Sequence, residues 1–379
     1  MKYIDEFRDP ALARRLAAAI AAEARGGRRY HLMEFCGGHT HAIFRYGIPD
    51  LLPETVRMIH GPGCPVCVLP AGRIDDAVAI ARRPEVILAC YGDVLRVPGS
   101  GGVSLLRAKA GGADVRMVYS TLDALRLAEA HPGREVVFFA IGFETTTPPT
   151  AVALRDAGAR GLRNFSVFCN HVLTPAAIQA ILDDPGAGGT DGVDGAGGAL
   201  LDGFVGPAHV STVIGSRPYE ACAAAYRKPV VIAGFEPLDV MQAILMLVRQ
   251  INDGRAEVEN QFSRAVTRDG NLKAQALVAE IFELRDAFEW RGLGVVPRSA
   301  LRLRDSWAGF DAERRFGIPG RSVPDHPGCA CAAILRGRMR PQDCKLFATV
   351  CTPESPVGSC MVSAEGACAA HYGYGRFRD

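Results

Sequence analysis

Residues 135–144 read Glu135-Val136-Val137-Phe138-Phe139-Ala140-Ile141-Gly142-Phe143-Glu144, an unbroken apolar run that ends on a glycine and a carboxylate. A run with no polar alternation predicts a strand covered on both faces, as strands of parallel sheets are. Working outward, similar short runs recur at His31–Phe35, Val56–His60, Glu85–Tyr91, Val115–Tyr119, Asn164–Cys169, Gly203–Val205 and Pro229–Ala233. Helical patterns lie between them, at Ile74–Arg82, Leu122–Ala130 and Leu238–Ile251. Strands that alternate with helices predict an α/β fold whose parallel sheets carry flanking helices. In such sheets, chemistry gathers where strands end at their carboxyl edge. The segment Gly142-Phe143-Glu144-Thr145-Thr146 would lie on that edge, either holding a ligand or simply opening a helix.

The composition narrows the class. The chain has 379 residues, 48% of them hydrophobic and 22% charged, enough for more than one core. Forty-three basic against 41 acidic side chains leave a net charge of +2, which argues for neither a nucleic-acid surface nor a membrane anchor. The longest apolar stretch, Val240–Val248, is interrupted by Gln242 and too short to span a bilayer. Asp5, Glu6 and Asp9 are out of place in a signal peptide, so a soluble cytoplasmic protein is expected.

The expected organisation has four parts: an Ala-rich helix within residues 1–29, packed on the C-terminal module; a first α/β unit, 30–160; a second, 161–255; and a helical and irregular module, 256–379. Leu277–Trp290 carries apolar residues at helical spacing, and a Gly-rich insertion at 185–198 reads as a surface loop. A shift of 145 residues aligns Gly61-Pro62 with Gly206-Pro207 and Val86-Ile87 with Val231-Ile232, which suggests that the two units are related. Where the first copy has Cys64 and Cys67, the second has His209 and Thr212.

Twelve cysteines are too many for packing alone. In a chain read as cytoplasmic they point to metal or thiol chemistry rather than a disulfide framework. Cys90, Cys169 and Cys222 lie in apolar segments and read as small buried hydrophobes. Cys36-Gly37-Gly38-His39-Thr40-His41 follows an apolar strand; backbone N–H groups of the turn and helix start would lower the thiol pKa, and a thiolate and an imidazole three residues apart could hold a metal such as iron, while the plainer reading is a turn with a buried cysteine and solvated histidines. Cys64-Pro65-Val66-Cys67 has the spacing of a redox dithiol, or of half a zinc site. Near the C-terminus, Cys329, Cys344, Cys351 and Cys368 are spaced widely, which suits a [4Fe–4S] cluster better than zinc. Cys331 stands open as an alternative to Cys329, and Cys360 fits no ligand position.

Together these motifs, MEFCGGHTH at 33–41, GPGCPVCV at 61–68, GFETT at 142–146, CTPESPVG at 351–358 and MVSAEGACAA at 361–370, resemble the HypD family of hydrogenase maturation proteins. The resemblance runs along nearly the whole chain; one departure is Ala332, where the family continues its Cys-x-Cys with glycine. It implies a scaffold on which the Fe(CN)2(CO) group of [NiFe]-hydrogenases is assembled, with a HypC-type chaperone and a HypE-type donor that brings cyanide as a thiocyanate. By the same resemblance, Cys36 holds the iron together with the partner's N-terminal cysteine, and His39 is the neighbouring site histidine. Cys64 and Cys67 form the redox dithiol; Cys329, Cys344, Cys351 and Cys368 bind the cluster. The chain would then be a redox-active assembly scaffold rather than a conventional turnover enzyme. The rival reading is a free-standing iron–sulfur disulfide reductase, which has no need of the Cys36 turn.

Overall fold

The computed structural model describes residues 4–184 and 201–375, so the Gly-rich stretch read as a loop at 185–198 lies outside the described residues. Thirteen strands occur among them: β1 (Tyr30–Glu34), β2 (Val56–His60), β3 (Val86–Cys90), β4 (Val115–Met117), β5 (Glu135–Gly142), β6 (Phe165–His171), β7 (Gly203–Pro207), β8 (Val230–Ala233), β9 (Val258–Asn260), β10 (Phe282–Leu284), β11 (Ala287–Trp290), β12 (Gly294–Pro297) and β13 (Leu301–Leu303). Two all-parallel sheets form the body, one ordered β2-β1-β7-β8-β9 and the other β4-β3-β5-β6. The α/β class with parallel sheets is therefore as expected. In β5 every residue after Glu135 is buried, which is why its sequence shows no alternation.

The strands are shared out differently from the expected division at residue 160. β1 and β2 join β7, β8 and β9, while the second sheet is built wholly from the chain between them. The 145-residue repeat does not mark two equivalent units either. β2 and β3, which bound its first copy, lie in different sheets, whereas β7 and β8 share one. What the repeat does record is local: β2 and β7 are the two neighbours of β1, and each leaves the sheet through Gly-Pro.

The N-terminal helix, Pro10–Glu23, is capped by Asp9, whose side chain accepts from Ala11 N and Leu12 N. It packs on the helix Pro237–Asn252 and not on the C-terminal module. Ile20 enters the apolar layer formed by Val240, Ile244 and Leu247 against β1, β7 and β8. Glu23 Oε1 accepts from Arg249 at 2.8 Å, and Asn252 Nδ2 donates to Glu23 O at 2.8 Å. That face of the five-stranded sheet needs an apolar cover, and an Ala-rich helix can approach it closely.

The helix expected over Leu277–Trp290 is also corrected. A helix runs from Leu272 to Ile281, after which β10 and β11 follow. Phe288 and Trp290 are buried two residues apart, the period of a strand and not of a helix. Among the described residues no helix is long and apolar enough to cross a membrane.

Candidate functional site

Cys36 stands at the N-cap position of the helix Gly37–Arg45, directly beyond the carboxyl end of β1. The turn is organised by a carboxylate that sequence reasoning passed over. Glu34, fully buried, accepts from Cys36 N at 2.8 Å, from His60 Nδ1 at 2.9 Å and from the Thr40 hydroxyl. A charge inside an otherwise apolar strand must find donors, and that was the available signal. Gly37 and Gly38 are required by close approach: a Cβ on Gly38 would sit 2.7 Å from the Phe235 ring, and one on Gly37 would strike Glu365.

The turn was expected to lower the Cys36 pKa, and the balance falls the other way. Burial raises it most, and Glu365 and Glu34 add to this, while the N–H groups of Gly38 and His39 pull it down without prevailing. A thiol in such a site stays protonated until a cation displaces the proton.

His39 is fully buried and burial lowers its pKa, so it is a neutral imidazole. Its Nε2 lies 3.0 Å from both Ala233 O and Gly234 O, two acceptors, so Nε2 carries the proton. Nδ1 is then a bare lone pair, buried and without a hydrogen-bond partner. A buried nitrogen left in this state is the donor a soft or borderline metal ion takes.

Cys64 and Cys67 are joined as a disulfide, with Cα atoms 5.2 Å apart, across the one-turn helix Pro65–Val68. Their loop is pressed against the Cys36 turn. Gly37 N donates to Gly63 O at 3.0 Å, and a Cβ on Gly63 would collide with Phe35 C and with Cys36 N and Cα. Both sulfurs are shielded, Cys64 being 3% and Cys67 0% exposed. From the other side the C-terminal module closes on the same helix. Ser359 Oγ donates to Cys67 O at 2.6 Å, Arg291 N donates to Val68 O at 2.7 Å, and a Cβ on Gly366 would lie 3.0 Å from Cys67 Sγ.

Cys329, Cys344, Cys351 and Cys368 line one small pocket, together with Cys331. Gly358 borders it, and a Cβ there would press on the sulfurs of Cys329 and Cys331. Cys360 is buried and outside the pocket lining, but its sulfur neighbours those of Cys331 and Cys368. Contact with Cys331 lowers the Cys329 thiol, while contacts among the sulfurs raise Cys331. Among the described residues no three His, Cys, Asp or Glu side chains converge as ligands of a single metal ion. Five sulfurs around a shared pocket are instead a donor set of the kind a polynuclear cluster takes, each iron with its own thiolate.

Glu144 lies just past the carboxyl end of β5 as expected, but the neighbouring hydroxyls are occupied internally. Thr146 Oγ1 donates to Phe143 O at 3.0 Å and Thr147 Oγ1 to the same oxygen at 3.2 Å. Glu144 itself accepts from Thr174 N and Oγ1 at 2.9 and 3.0 Å, so it serves the start of the helix Thr174–Leu182 beyond β6. A cavity of about 800 Å³ runs along the free edge of β2; it shares His60 with the Cys36 turn but none of the cysteines.

The family model described as hydrogenase formation hypA family, HypD, matches residues 11–375. The hydrogenase maturation factor HypD of Cupriavidus necator is 68% identical over 379 residues, covering 100% of this chain and 98% of its own. The hydrogenase maturation factors HypD of Rhodobacter capsulatus and Escherichia coli K12 are 53% and 46% identical, each across at least 98% of both chains. With the cysteine motifs brought together at one sheet edge and the match running from end to end, the chain belongs to the HypD family of hydrogenase maturation factors.

Proposed function

We propose that this maturation factor is the scaffold and thiol-redox protein on which Fe(CN)2(CO) is assembled, in complex with a HypC-type chaperone and with cyanide delivered by a HypE-type donor. The observation that carries the reading is the contact between the Cys36 turn and the Cys64–Cys67 loop, two chemistries held at one sheet edge. Cys36 and the bare Nδ1 of His39 supply a thiolate and an imidazole to the iron cargo. Cyanide leaves a thiocyanate when the S–C bond takes up two electrons. The reduced Cys64–Cys67 pair gives both electrons as it closes to the disulfide; of its two protons, one goes to the donor's thiolate and one to cyanide. The disulfide is thus the spent form. Cys329 or Cys331, with Cys344, Cys351 and Cys368, would hold a [4Fe–4S] cluster, whose chemistry is the supply of single electrons that reopen it.

The Cys36 turn packed against the dithiol loop disfavours the rival, since a reductase of other proteins has no need of it. The test is anaerobic co-purification with the chaperone and infrared spectroscopy of the complex. CN and CO bands are expected for the unaltered chain and absent in Cys36→Ala, which retains the cluster absorbance. His39→Ala should weaken the bands less, because water can replace one imidazole. Unchanged bands in Cys36→Ala would mean that the iron sits elsewhere.

A further inference from the structure

Three strands bring their carboxyl ends to the Cys36 turn: β1 itself, β2 on one side and β7 on the other. The β2 exit carries Cys64 two residues after Gly61-Pro62; the β7 exit carries His209 two residues after Pro207. The second of these is unassigned. His209 packs on Phe235 with ring centroids 4.1 Å apart and planes tilted by 50°, and His39 packs on the same ring at 4.8 Å. Phe235 in turn lies on Gly38, so the three rings and the turn form one continuous wall.

The polar groups of this wall are almost all committed. Cys36 N–H, the Thr40 hydroxyl and His60 Nδ1–H are given to Glu34, and His39 Nε2–H to two carbonyl oxygens. His39 therefore offers a lone pair and no proton. His209 is exposed, and neither ring nitrogen has a hydrogen-bond partner among the described residues. A neutral imidazole always has one N–H, and with neither nitrogen fixed that donor can face the site.

Resting on the scaffold reading, we propose that His209 donates a hydrogen bond to the nitrogen of an iron-bound cyanide and so helps the site hold cyanide apart from carbon monoxide. The chemistry supports the choice. Bound cyanide is anionic and ends in a nitrogen lone pair, a strong charge-assisted acceptor, whereas the oxygen of bound carbon monoxide is a poor one. Two cyanides and two thiolates on iron(II) leave a net negative cargo beside Glu34 and Glu365, so a donor facing the cyanide is what the site otherwise lacks.

The test compares three chains, each co-purified anaerobically with the HypC-type chaperone: unaltered, His209→Phe, which keeps a ring packed on Phe235 without a donor, and His209→Gln, which restores an N–H. Infrared spectra should show at least one CN band displaced in His209→Phe, with a smaller movement of the CO band, and a return toward the original position in His209→Gln. Should His209→Phe be insoluble, His209→Met fills the place without a donor and carries the same expectation. CN bands identical in the donorless variant and the unaltered chain overturn the assignment. If the unaltered complex contains iron but shows no CN bands, the scaffold reading fails first and this inference falls with it.

Discussion

Replacing Gly63 by alanine tests the contact on which the functional reading rests. The added methyl would overlap Cys36 N, Phe35 C and Cys36 Cα, all backbone atoms that cannot rotate away as a side-chain tip can. Both segments are also tied, by Gly37 N donating to Gly63 O at 3.0 Å and Gly61 N to Glu34 O at 2.9 Å. Relief requires the Cys64 loop and the Cys36 turn to part. Overpacking of a tight interior contact costs about 1–3 kcal/mol, and a clash with backbone on three atoms belongs at the upper end. Gly26→Ala is the control, because nothing lies within 4 Å of its Cβ position; its effect should stay within about 0.5 kcal/mol. Urea denaturation at constant slope measures both. In the chaperone complex Gly63→Ala should also lose CN and CO band intensity while the absorbance of the C-terminal cysteine cluster persists. A Gly63→Ala chain as stable as Gly26→Ala, with full bands, would refute the claim that this contact sets up the site.

Further outcomes follow from other parts of the structure. Burial raises the Glu144 carboxyl from 4.5 to about 7, so its favourable share in stability is complete below the lower value and lost as pH climbs through the higher. Denaturation at pH 5 and 8 should show the unaltered chain losing on the order of 2–3 kcal/mol that Glu144→Gln does not lose; parallel losses would reject the argument. Cys64→Ser and Cys67→Ser should each stop hydrogenase maturation and leave the iron–sulfur spectrum intact, and a variant that still matures the enzyme would remove the dithiol from the mechanism. Cys344→Ala and Cys351→Ala should abolish the brown chromophore and lower soluble yield; anaerobic protein carrying stoichiometric zinc and no iron would contradict the cluster.

Eight of the nine strands of the two main sheets were legible because each is a short apolar run bounded by turns; β9, three half-buried residues at a sheet edge, was not. Their distribution between sheets was not, since nothing in the composition of β7 says that it pairs with β1 rather than with β6. Leu277–Trp290 misled for a related reason: Leu277, Ile281, Leu284 and Phe288 recur at helical spacing, and only pairing with β13 and β12 decided for strands beyond Ile281. At the site, the cysteines announced themselves by motif. Glu34 did not, because its function lies in three donors reached only after folding, two from its own turn and one from His60 on the adjacent strand. The thiol pKa of Cys36 was misjudged because the sequence displays the helix N-terminus but hides Glu365, which arrives from the far end of the chain.

The strand order has a bearing on when the molecule can first work. β1 leaves the ribosome early with β2, yet its other neighbour, β7, begins roughly 140 residues later, after the entire second sheet. At about 5–20 residues per second, β1 would wait on the order of 10–30 s with one edge open. Throughout that interval Cys36 would stand beside a half-built wall, lacking β7 and the Ala233 and Gly234 carbonyls that fix His39. Until then the nascent chain lacks the finished wall, and any chaperone that recognises the completed turn recognises a chain whose synthesis has already passed β8.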